Sequence, residues 1–97
     1  MGVQFTAELW AYAEEPGSWH FVTLPLEVAD EIRDEAGPRG GFGSIRVSAT
    51  VGDTRWQTSL FPEARGGSMV LPMKKAVRLA QGLEAGASCD VELEVFG

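Results

Sequence analysis

A chain of 97 residues has room for one hydrophobic core, which at this size buries about 60 to 70 per cent of the surface its unfolded form exposes, so a large catalytic cleft is not expected. Its 44% hydrophobic and 23% charged residues describe an ordered domain, and no apolar run approaches the roughly 20 residues that cross a bilayer. A net charge of −6 argues against strong nonspecific attraction to nucleic acid or an anionic membrane, and one cysteine with one histidine supplies neither an internal disulfide nor the ligand set of a zinc site.

The first residues, Met1-Gly-Val-Gln-Phe-Thr-Ala-Glu, lack a basic segment followed by an apolar one, so no secretory signal is read and the cytoplasm is the expected compartment. Residues 3 to 12 alternate, with Val3, Phe5, Ala7, Leu9 and Ala11 on one side and Gln4, Thr6, Glu8, Trp10 and Tyr12 on the other. That period of two predicts a half-buried strand. Glu14-Glu-Pro-Gly-Ser18 carries turn chemistry, and Trp19 to Leu24, rich in aromatic and β-branched residues, returns as a hairpin partner. Pro25 at the first helical position and the spacing of Val28, Ala29, Ile32 and Ala36 predict a helix with one apolar stripe, stopped at Gly37-Pro38.

The loop Pro38-Arg-Gly-Gly-Phe-Gly43 has the glycine content of a phosphate cradle, but such loops work by opening a helix. This one leads into a strand, in which Ile45, Val47, Ala49 and Val51 alternate with Arg46, Ser48 and Thr50, and Gly52-Asp53 turns it into a further strand over Arg55 to Leu60. A short strand over Met69 to Leu71 leads to Pro72 and a second helix whose stripe is Met73, Ala76, Val77 and Ala80. Gly82 is expected to end it in the left-handed conformation with Leu83 packing back, which makes substitution there costlier than at Gly67. In the last strand Cys89 shares the apolar side with Val91, Leu93 and Val95, so it reads as a buried small hydrophobe and not as a reactive thiol.

Two stretches, about 3–51 and 54–95, thus share one order of strand, strand, Leu-Pro, helix, glycine stop and strand. Leu24-Pro25 matches Leu71-Pro72. Neither stretch alone closes a sheet, whereas interleaving them pairs the exposed edges around a shared core. The helices differ in charge: Glu27, Asp30, Glu31, Asp34 and Glu35 surround Arg33 in the first, while the second carries Lys74, Lys75 and Arg78. The basic trio is a candidate contact surface for an anion or an acidic partner. Trp10, His20, Arg46, Arg55 and Trp56 form a loose candidate set for a ligand, because aromatic side chains with polar neighbours line small-molecule sites and anchor interfaces. No catalytic residues are assigned, since the single imidazole, His20, has no nucleophile or carboxylate beside it in a recognisable local signature.

The segment Val-Leu-Pro-x-Lys-x-x-Arg-x-x-x-Gly-Leu-x-x-Gly over residues 70 to 86 resembles the swapped-hairpin barrels of AbrB and MazE type, many of which dimerise and bind DNA. Across nearly the whole chain, Trp19-x-Phe-Val-x-Leu-Pro25, Thr50-Val-Gly-Asp-x-x-Trp-Gln-Thr-Ser-Leu60, Pro62 and Leu71-Pro through Gly86 more closely resemble the DUF1905 family. That resemblance implies a single-chain double-split β-barrel and supplies no catalytic residues. Two departures bear on function: the Gly-Asp pair that often closes the last motif is Gly86-Ala87 here, and eight basic residues against fourteen acids do not make a broad DNA-binding face.

The expectation is therefore a mainly β, single-domain, pseudo-duplicated barrel of about six strands with two short helices spanning 1–97. Its expected role is that of a monomeric, cytoplasmic, non-enzymatic binding or interaction module for an unidentified protein or small molecule. It should use no cofactor or metal, engage no membrane, and not take nucleic acid as a partner. The alternative is an AbrB/MazE-like DNA-binding regulator or antitoxin.

Overall fold

Alternating apolar residues give each strand one face for an interior, and six such strands close around it. The computed structural model describes residues 2–12, 19–37, 43–63 and 66–96. Its strands are β1 (Gly2–Ala11), β2 (His20–Thr23), β3 (Ile45–Val51), β4 (Thr54–Pro62), β5 (Met69–Pro72) and β6 (Ser88–Val95), with helices α1 (Leu26–Ala36) and α2 (Lys75–Gln81). The turn expected at 14–18 and most of the loop at 38–43 lie outside the described residues.

The strands form a closed barrel in the order β1-β2-β5-β4-β3-β6, and every neighbouring pair is antiparallel. Exchanging β1 with β4, β2 with β5 and β3 with β6 leaves this cyclic order unchanged, so the topology is symmetric between the two stretches. The alternation holds in β1, where Phe5 and Leu9 are buried, in β3 with Ile45, Val47, Ala49 and Val51, and in β6 with Cys89, Val91 and Leu93. Val22, Leu60 and Leu71 fill the remaining wall.

Pro25 proves to be the residue capping α1, one place before the helix, with φ −56° and ψ 146°. Its carbonyl accepts the N–H groups of Val28 and Ala29 at 3.0 Å each. Val28, Ala29 and Ile32 are buried, as their spacing predicts, and Gly37 at φ 71° donates its N–H to the Arg33 carbonyl at 3.0 Å to end the helix. The second helix departs from expectation. Pro72 belongs to β5, paired with Phe21, and two extended residues come after it because Met73 donates its N–H to the His20 carbonyl at 2.8 Å. The helix that remains has 7 residues and buries Val77 alone; Ala76 and Ala80 face solvent, while Met73 reaches the core from the extended linker.

Gly82 does stop α2 in the left-handed conformation, at φ 63° and ψ 37°. Leu83 donates to the Arg78 carbonyl at 2.9 Å and Gly82 to that of Leu79 at 3.4 Å, which is the Schellman pattern, and Leu83 packs on the core. Gly67, however, lies at φ 73°, and neither glycine has a neighbour where a Cβ would sit. The basis for ranking Gly82 above Gly67 is thereby removed.

Side-chain hydrogen bonds tie the two stretches together and hold the turn between them. The buried Ser68 hydroxyl donates to the Leu24 carbonyl at 2.6 Å. Arg33 of α1 donates to the carbonyls of Gly67 and Ser68 at 2.7 and 3.1 Å. Gln81 of α2 donates to the Asp53 carboxylate and the Thr54 hydroxyl, both at 2.8 Å, and so holds the β3–β4 turn. Positive φ at the first central position of that turn, Gly52 at 60°, is the type II′ signature, and a Cβ there would collide with the Gln81 side chain.

Candidate functional site

The outward positions of the barrel divide by chemistry. Along β6 they are Asp90, Glu92 and Glu94, with the Thr6 hydroxyl donating to Asp90 at 2.6 Å and Arg55 standing 3.7 Å from Glu94. Where β1, β2, β5 and β4 adjoin, the register sets Trp10, Phe21 and Pro72 in one row and Val70 between Thr23 and Phe61 in the next. Trp10 and Phe21 are cross-strand partners with ring centroids 5.1 Å apart, and the Trp10 indole N–H donates to the Thr23 hydroxyl at 2.9 Å. Trp19 continues the row, its ring nearly parallel to that of Phe21 at 11° and 6.3 Å, and its carbonyl accepts the Tyr12 N–H at 2.8 Å.

These aromatic rings border two depressions. A groove of about 580 Å³ is lined by Trp10, Tyr12, Phe21, Pro62 and Val70, with Glu63 at its rim. Tyr12 is 76% exposed and Trp19 68%, so apolar surface stays in water here without a counterpart in the chain to cover it among the described residues. On the other side of Phe21 lies a cleft of about 260 Å³. Pro72 and Met73 line it together with Trp19, His20, Lys74, Lys75 and Arg78. Its construction depends on the two extended residues after Pro72: the Met73–His20 hydrogen bond sets Lys74 beside the start of β2, and Arg78 Nε donates to the Met73 carbonyl at 3.1 Å, holding its guanidinium over the same place. No carboxylate, hydroxyl or thiol side chain lines this cleft among the described residues.

The residues singled out in the sequence are thus redistributed. Trp10 and His20 lie on the aromatic side, on neighbouring strands. Arg46 and Arg55 lie on the exterior of β3 and β4, where Arg46 stands 3.5 Å from the Ser59 hydroxyl and Arg55 faces Glu94. Trp56 is 9% exposed and part of the core, because its strand position faces inward with Leu60. The five do not form one site. The basic trio Lys74, Lys75 and Arg78 instead joins His20, which is 54 residues before Lys74 and meets it only because β2 pairs with β5. Tyr12 and Phe21 were the overlooked members; Phe21 occupies an outward strand position, where a large aromatic ring is out of keeping with a solvated face, and Tyr12 comes directly after β1.

Cys89 is buried in β6, its sulfur 3.8 Å from the Ala87 carbonyl. Burial, reinforced by the neighbouring Asp90 carboxylate, pushes its thiol pKa up, against a smaller opposing effect of a backbone hydrogen bond at Leu9. Nearby, Gly86 at φ 94° donates to the Leu9 carbonyl at 2.7 Å and Leu9 donates to that of Ala87 at 2.9 Å. The Gly86-Ala87 pair therefore serves the backbone, which needs no carboxylate at position 87.

Geometry defines the class: a closed six-stranded antiparallel barrel built from two interleaved, topologically equivalent halves. The chain belongs to the DUF1905 family, a domain of unknown function, whose profile matches residues 5–93. No curated protein sequence matches it.

Proposed function

We propose that this protein is a small, monomeric, non-enzymatic binding module that meets its ligand through the aromatic exterior of β1, β2 and β5. The observation carrying this reading is the Trp10–Phe21–Trp19 row, which occupies outward positions where the other side of the barrel has carboxylates and hydroxyls. Large apolar side chains kept in water between two depressions are characteristic of recognition surfaces. Barrel closure supports the monomer, since no strand edge is left to template a second chain.

The three tryptophans provide the test. In a fragment screen read by the indole N–H signals in a proton–nitrogen NMR spectrum, binders should move the Trp10 or Trp19 signal and leave that of the buried Trp56 unmoved. Fragments that move all three equally, or none, count against the surface.

An AbrB/MazE-like regulator is the rival. Lys74, Lys75 and Arg78 offer about three phosphate contacts, against the 6 to 10 or so typical of proteins that hold DNA against salt. Duplex binding measured by fluorescence anisotropy at about 0.15 M salt should be undetectable at micromolar protein. Submicromolar binding abolished by Lys74→Glu and Arg78→Glu would install the regulator instead.

A further inference from the structure

We infer that the cleft between β2 and the start of α2 is a site for a compact phosphate monoester that carries an aromatic group, such as a nucleoside monophosphate, with the ring on Trp19 and the phosphate among Lys74, Lys75 and Arg78. The inference rests on the binding-module reading and gives that surface a ligand class.

Charge carries the first step. The protein is strongly acidic as a whole, yet this cleft gathers three permanent cations and an imidazole, with no carboxylate lining it among the described residues. Two other depressions run the opposite way, Asp90 and Glu92 lining one and Glu31, Asp34 and Glu35 another, while a further one carries the single cation Arg33, which is paired with Asp30. A local reversal of sign selects anions, and near-surface charges act over about 8 Å at physiological salt, so the distant acids do not cancel it. A phosphate monoester, carrying about −1.5 to −2 charge at pH 7, draws more from several cations than a single carboxylate does.

Shape carries the second. Trp19 is 68% exposed and its ring lies parallel to Phe21, so one aromatic face is supported from behind while its surroundings stay open. Pro72 and Met73 supply an apolar floor. Arg78 is held by one of its five N–H donors against the Met73 carbonyl, which orients the guanidinium before any ligand arrives. A volume of about 260 Å³ suits one aromatic group and one phosphate, the open mouth leaving any linking sugar in solvent.

The test titrates the full chain with AMP, phenyl phosphate, adenosine and inorganic phosphate, following the Trp19 indole signal and the Lys75 backbone amide by NMR. At least one of the two phosphate monoesters should bind at least about tenfold more tightly than both adenosine and inorganic phosphate, and weaken at least about tenfold in Lys74→Gln/Lys75→Gln or when salt rises from about 0.15 to 0.5 M. The Trp56 signal, unmoved, certifies that the double variant is folded. The inference is overturned if neither phosphate monoester shifts these signals at about 5 mM, if adenosine binds as well as AMP, if inorganic phosphate alone binds as well as the monoesters, or if the double variant binds unchanged. Failure here with fragments still moving the Trp10 signal leaves the binding-module reading standing; failure of both experiments removes both.

Discussion

The two helices hold equivalent places in a symmetric strand order and do different work. α1 has 11 residues, buries Val28, Ala29 and Ile32 and turns an acidic face to water. α2 has 7, buries Val77, and turns Lys74 at its cap, Lys75 and Arg78 toward the cleft. The difference originates in two residues. Where α1 starts directly after Pro25, Met73 and Lys74 stay extended after Pro72, shortening the second helix and shifting its basic start against β2. One half thus closes the barrel with a packed helix, and the other has given up packing for a charged surface.

Removing the buried residues should expose this asymmetry most strongly. Ile32→Ala is expected to destabilise by about 3 kcal/mol and Val77→Ala by about 2, read from urea midpoints, because more side chain leaves a fully enclosed site in α1. Equal losses would break the comparison. Ser68→Ala, which strips the Leu24 carbonyl of its buried donor, should cost about 2 kcal/mol although it touches neither helix. A loss below about 0.5 kcal/mol would show that water replaces the hydroxyl.

The glycines sharpen the contrast between the helix tethers. Gly52→Ala combines a positive φ with a collision against Gln81 and should cost about 2 kcal/mol, whereas Gly67→Ala, at a similar φ in open space, should cost about 1. Adding Gln81→Ala should recover part of the first loss and none of the second. If it recovers nothing, the collision with Gln81 contributes nothing to the loss at position 52.

Smaller effects come from charge and titration. The folded pKa of Cys89 lies above its unfolded value, so the folded state keeps the proton longer; stability is fully present below the ordinary thiol range and falls as pH rises above about 8.5. Cys89→Ala should flatten that part of the pH profile. Smallest of all, Lys74→Gln and Lys75→Gln should change stability by less than about 0.5 kcal/mol, since both side chains are exposed. A larger loss would mean that the basic face of α2 is structural after all.

Most of the barrel was legible because strand alternation is a local signal: β1 and β6 obey it, β3 departs from it at the buried Ser48, and α1 obeys its stripe. α2 misled because Ala76 and Ala80 have helical spacing without the volume to demand burial, and because proline fits the end of a strand as readily as the start of a helix. Trp56 entered the candidate set for being aromatic, although its inward strand position already argued for the core. The basic trio was visible in the sequence, but its meeting with His20 was not, since that depends on β2 pairing with β5 across a long stretch of chain.

The pairing of Gly2 with Glu94 sets the start of β1 beside the end of β6, while Gly52 and Asp53 form the tight turn between the two halves. A short bridge from the end of β6 to the start of β1 and a cut at that turn would make a circular permutant running β4 to β6 and then β1 to β3. The symmetric strand order gives the rearranged chain the same barrel to fold into, with α2 now encountered before α1.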